Sequence, residues 1–93
     1  MEIKHEEQAQ KGSFYIQPAA KKNAEMSYVW AGTDKIIIDH TEVGDELKGQ
    51  GAGKLLLAQM VSFARNKTVK ILPVCPFAKA VMEKTPEYAD VLF

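Results

Sequence analysis

Apolar and polar residues alternate with a period of two through the first half of the chain, and the spacing then lengthens to that of a helix. Glu2 to Gln8 is polar and only weakly strand-like, whereas Gly12 to Gln17 puts Phe14 and Ile16 on one face, so two short edge strands are expected. Pro18 to Asn23 reads as a turn. Ala24, Met26, Tyr28 and Trp30 then alternate with Glu25, Ser27 and Val29 in a longer half-buried strand, and Gly32, Thr33 and Asp34 turn the chain. Lys35 to Val43 follows as a β-branched run, with Ile36, Ile38 and His40 on one face and Ile37, Asp39, Thr41 and Val43 on the other. These strands predict an antiparallel meander.

From Gly51 a step of about 100° per residue gathers Leu56, Leu57, Met60, Val61, Phe63 and Ala64 on one arc, opposite Lys54, Gln59, Ser62, Arg65 and Asn66. Leu55 and Ala58 fall on the polar side. Asn66 and Lys67 end this helix, and Val69 to Val74 is an apolar run of strand length. A strand reached through a helix is most simply parallel to the one before it, which predicts one right-handed βαβ unit. Cys75 and Pro76 open a second helix, Phe77 to Lys84, with Phe77, Val81, Ala78 and Met82 inward, because proline suits a first turn whose amide hydrogen is unpaired anyway. Thr85 and Pro86 stop it. The tail, Glu87 to Phe93, is expected to pack back through Tyr88, Val91 and Leu92.

At 93 residues the chain supports one domain with a modest core. Its 12 basic and 12 acidic residues cancel, and without a basic stripe interleaved with aromatics no nucleic-acid footprint is present, so a small-molecule partner is expected. The one cysteine forms no internal disulfide, and neither a signal-peptide pattern nor a long apolar span is visible. The expectation is a cytoplasmic protein with no membrane partner.

Lys48-Gly49-Gln50-Gly51-Ala52-Gly53-Lys54 carries the strongest chemical signal. Three glycines at alternate positions lie just before a helix, whose first amides lack intrahelical partners and point outward as anion donors. The spacing excludes a P-loop, since Lys54 is followed by Leu55 and position 48 is lysine, and it excludes the dinucleotide fingerprint, which requires glycine at position 54. A turn that only joins strand to helix is the alternative. Both strands of the βαβ unit end near one rim, the first at the glycine loop and the second at Cys75, and ligands collect beyond the carboxyl ends of parallel strands.

Cys75 admits two readings: a reactive thiol at a helix N-terminus, or a small apolar filler. His40 likewise reads as a proton-transfer group or as a half-buried histidine held by hydrogen bonds. Asp39 diverges from it, Tyr28 and Trp30 read as core, and His5 stands alone on an edge strand. No set of residues is spaced as metal ligands.

The glycine run resembles the acetyl-CoA signature of the GCN5-related N-acetyltransferases, Arg/Gln-x-x-Gly-x-Gly/Ala, with Gly51 and Gly53 on the small positions and Lys48 in place of the first residue. Together with Ile38-Asp39-His40-Thr41 and Cys75-Pro76-Phe77-Ala78 it is similar to a small YjdJ-type subfamily of those proteins. The resemblance covers most of the chain. It implies an α+β fold: a mostly antiparallel twisted sheet with one parallel βαβ unit and two to three helices. It also implies that the loop from Lys48 to Lys54 (Lys48, Gly49, Gln50, Gly51, Ala52, Gly53, Lys54), the main chain of Val43, and Pro76 and Phe77 hold acetyl-CoA, with Cys75 near the thioester and His40 assisting. Only Ala9 to Lys11 separates the first two strands, and nothing after Tyr88 is long enough for a final strand pair, so the acceptor pocket is expected to be truncated. Two functions follow from that: transfer of acetyl to an unknown amine, either directly or through an acetylated Cys75, or acyl-CoA binding without catalysis. A ligand-free scaffold is the third class.

Overall fold

The computed structural model describes all 93 residues. Its elements in order are β1 (Lys4–Gln8), β2 (Lys11–Ile16), β3 (Ala24–Ala31), β4 (Lys35–Val43), a 3-10 turn (Asp45–Leu47), α1 (Ala52–Lys67), β5 (Lys70–Pro73), α2 (Pro76–Lys84) and a second 3-10 turn (Pro86–Tyr88). The five strands form one sheet in the order β1-β2-β3-β4-β5, antiparallel except for the parallel β4–β5 pair. This is the α+β architecture with a single βαβ unit that the periodicities predict. No helix is long and apolar enough to cross a membrane.

Three elements, β5, α2 and β4, differ from the expectation. β5 is shorter, because Val74 N and Cys75 N both donate to Ile38 O at 3.0 Å and the ladder stops there. α1, Ala52–Lys67, keeps the expected bounds, and Thr68 caps it in the left-handed conformation that closes many helices. On α2 the buried stripe is Cys75, Ala78 and Met82, three and four residues apart, which rotates Phe77 outward to 37% exposure instead of inward.

The most consequential difference lies in β4. Met26 pairs with Thr41 and Ser27 with His40, but Tyr28 pairs with Ile38, so Asp39 is the extra residue of a β-bulge. Each residue beyond it has therefore exchanged faces relative to a strict alternation. Thr41 and Val43 share the face of Ile36 and Ile38, which corrects the expectation, and His40 turns to the opposite face, where it is exposed rather than half-buried.

The core face of the sheet carries Phe14, Ile16, Met26, Tyr28, Ile36, Ile38 and Ile71, and α1 covers it with Leu56, Leu57, Met60, Val61 and Ala64. Phe63, also expected on this arc, is half-buried and meets the rings of His5, Phe14, Tyr28 and Trp30. The tail adds Val91 to the core and a parallel bridge between Leu92 and Ile71.

Candidate functional site

The site begins where β4 outruns β5. Parallel pairing ends at Ile38 and Pro73, so beyond the bulged Asp39 the residues His40–Val43 pair with β3 alone, and Asp39–Val43 leave their other edge without a strand partner. Main-chain donors and acceptors are thus exposed along one wall of a cleft, available to an extended ligand. After β4 the chain makes a 3-10 turn and enters the glycine loop. Gly49 (φ 81°) and Gly51 (φ 74°) both occupy the left-handed region, and a Cβ at either would meet nothing within 4 Å. The glycines are needed here for backbone conformation, and their outer side is open to a ligand.

The first intrahelical bond of α1 runs from Leu55 N to Gly51 O at 3.0 Å, leaving the amides of Ala52, Gly53 and Lys54 as the unpaired donors of the first turn. No side chain caps them and no acidic residue lies in that turn, so the positive end of the helix is uncompensated. Gly53 has a second role. A Cβ there would meet the tip of the Phe77 ring at 2.7 Å, so this glycine lets the starts of α1 and α2 pack closely.

A groove of about 450 Å³ joins the last residue of β4 to the glycine loop and the start of α2; it is lined by Val43, Leu47, Lys48, Gly49, Gly51, Ala52, Gly53, Lys54 and Phe77. Seven of the residues put forward from the loop and its flanks thus converge with Phe77, and Leu47 joins them. Leu47 is the apolar end of an otherwise acidic turn, half-buried against the core, and that isolated position was its one sequence signal. Gln50 turns away to donate from Nε2 to Glu46 O at 2.9 Å, and Pro76 is the first residue of α2, outside the groove lining. Lys48 is exposed and pairs with Asp45 at 3.1 Å, which leaves its ammonium free to exchange partners.

Cys75 caps α2. Its Sγ accepts from Ala78 N at 3.5 Å and lies 3.1 Å from Thr41 Oγ1, and the residue is only 5% exposed. The bulge brings Thr41 to it, whereas His40, on the other side of β4, faces away from the thiol. The sequence thus proposed two catalytic residues that lie on opposite sides of β4.

A second polar cluster was missed altogether. His5 Nε2 lies 2.7 Å from Tyr28 Oη, and Glu7 accepts from Tyr28 at 2.8 Å and from Trp30 Nε1 at 2.6 Å. The His5 ring stacks on Phe14 with centroids 4.1 Å apart. The Trp30 hydrogen bond, followed by that from Tyr28, holds the Glu7 carboxyl below its usual range against the opposing effect of burial. Burial is the main cause that lowers His5 and raises Tyr28. This cluster fixes β1 to the sheet and lies apart from the groove.

With this geometry in view, the model of a family described as GCN5-related N-acetyl-transferase matches residues 13–91. The NMR solution structure of a GCN5-like protein from Staphylococcus aureus is 43% identical, with a TM-score of 0.79 over 99% of this chain and 87% of that one. The crystal structure of nourseothricin acetyltransferase, at 18% identity and a TM-score of 0.52 over 68% of this chain and 38% of that one, shares the fold alone. No curated protein matches the chain.

Proposed function

Because the chain belongs to the GCN5-related N-acetyltransferase family, we propose that it binds acetyl-CoA in the cleft beside β4 and passes the acetyl group to an amine. The observation that carries this reading is the convergence of an open β4 edge with an unobstructed glycine cradle at an uncapped helix N-terminus. The cradle fits a pyrophosphate: three free amides, two flanking lysines and no carboxylate in the first turn offer an anion both hydrogen bonds and charge. The main chain from Asp39 to Val43 offers amide groups to a pantetheine arm, and Leu47 and Phe77 offer apolar walls. Acetyl-CoA supplies an acetyl group activated as a thioester. Within this single minimal domain, donors left free on β4 are suited to charge developing on the acetyl oxygen.

Two routes to the amine differ in the part Cys75 plays. In direct transfer the amine nitrogen bonds to the acetyl carbon as the bond to the CoA sulfur breaks, the amine proton leaves to solvent and the departing CoA thiolate takes one up, with His40 turned to the far face of β4 and out of reach. In the covalent route Cys75 sulfur bonds to the acetyl carbon as the bond to the CoA sulfur breaks, the Cys75 proton passes to the departing CoA thiol, and an amine later releases the cysteine. The 5% exposure of Cys75 and the opposite facing of His40 favour a second reading as well, a binding module without turnover.

Mass spectrometry of the protein mixed with acetyl-CoA and a panel of primary amines separates these. The expected result is a one-to-one complex under native conditions with amine-dependent release of CoA. An acetyl adduct that Cys75→Ala abolishes identifies the covalent route. A complex that never releases CoA identifies the binding module, and absence of any complex contradicts the cofactor assignment.

A further inference from the structure

Thr41 is brought to Cys75 by several constraints acting together. The Asp39 bulge turns it onto the core face, Ser27 donates to Asp39 Oδ1 at 2.6 Å beside the bulge, and the pairing of Met26 with Thr41 fixes its height along β4. From the other side, Cys75 N donates to Ile38 O at 3.0 Å, so the thiol is tied to β4 through the main chain before any side-chain contact is made. The two side chains then meet at 3.1 Å, and Ala78 N approaches the same sulfur at 3.5 Å. A sulfur flanked by a hydroxyl and an amide hydrogen has two donors directed at it. We infer that Thr41 is a positioning residue for the acetyl-transfer site, whose hydroxyl donates to Cys75 Sγ and holds that sulfur in its reacting orientation at the parting of β4 and β5.

This inference rests on the reading that Cys75 faces the thioester. A hydroxyl donor stabilises the charge that sulfur carries when it reacts as a thiolate, and its effect on rate is partly offset because a better stabilised thiolate is a weaker nucleophile. The strand alternation makes Thr41, and neither neighbour, the residue able to do this: His40 and Glu42 point to the far face. Valine copies the shape of threonine and its β-branched fit to a strand while deleting the donor, and serine keeps the donor while deleting a methyl group.

The test is the rate at which iodoacetamide alkylates Cys75 in the folded wild type, Thr41→Val and Thr41→Ser at neutral pH, with CoA titrated into the same proteins. Alkylation is expected to slow roughly three- to tenfold in Thr41→Val and to return to within about twofold of wild type in Thr41→Ser. A wild-type thiol that reacts only on unfolding, equal rates in wild type and Thr41→Val, or equal losses in both variants would each overturn the inference, the last because it would assign the effect to packing. The CoA titration reads the cofactor site separately: if no protein binds CoA while the hydroxyl still governs alkylation, the functional reading fails and the positioning role of Thr41 toward the sulfur stands.

Discussion

Glu7 shows how much a single side chain determines at the edge of this sheet. Its carboxylate accepts from Tyr28 and Trp30, and both bonds favour the ionised form, so its folded value is depressed. A depressed acid stabilises the fold above its unfolded value, 4.5, and that contribution is lost as pH falls through the folded value. His5, lowered mainly by burial, acts in the same direction at higher pH: the neutral ring is favoured, and stability is lost as pH falls below 6.5 and through its folded value. Glu7 beside it on β1 opposes this shift, and Lys67 from α1 reinforces it. Trp30 is the one tryptophan, so its fluorescence reports the attachment of β1. On acidification the emission should change in two stages, with the lower stage absent in Glu7→Gln. A wild-type signal that stays flat below pH 4.5 would contradict the role given to Glu7.

At the scale of elements, the periods of two and of 3.6 made most of the fold legible. Ala24, Met26 and Tyr28 are buried as their alternation requires, and Leu56, Leu57, Met60, Val61 and Ala64 cover the sheet. The bulge was not legible as a bulge, because register is set by the partner strand and not by β4 alone. One trace of it exists: the apolar-face residues Ile36 and Ile38 are followed at an interval of three by Thr41 and then Val43. The His5 and Glu7 cluster was hidden for the same reason, since β1 reaches Tyr28 and Trp30 only through two successive pairings with β2 and β3. The glycine loop was the most legible part of the candidate site because its shape depends on local backbone conformation. That loop feeds α1, whose N-terminus permits a test with effects of opposite sign. Lys54→Glu places an acid in the first turn, which should stabilise the helix by about 0.3–1 kcal/mol through the dipole. The same change should weaken CoA binding by roughly tenfold or more at low salt, with the deficit shrinking as salt rises. Calorimetric titration beside thermal unfolding reads both, and equal affinity in the two proteins would remove the loop from the phosphate site.

Across the whole molecule the cleft is a feature of one packed body. The radius of gyration is 12.4 Å, against about 12 Å for a compact chain of this length. α1 spans that body, with its N-terminus in the groove and its C-terminal Arg65 donating to Asp90 at 2.9 Å and to Glu87 O at 2.6 Å. The tail held in this way bridges to β5 through Leu92 and Ile71, so α1 is tied to the sheet at the end away from the groove as well as at the groove itself. The central claim is that acetyl-CoA lies along this cleft, with its pyrophosphate on the first turn of α1. Amide chemical shifts measured residue by residue during a CoA titration test it most directly, because every residue that lines the groove contributes an N–H. The account predicts saturable shifts concentrated at Asp39–Val43, Gly49, Gly51, Ala52, Gly53 and Lys54. Shifts confined to the opposite end of the sheet, around Glu6 to Ser13, or no saturable shift at all, would contradict it.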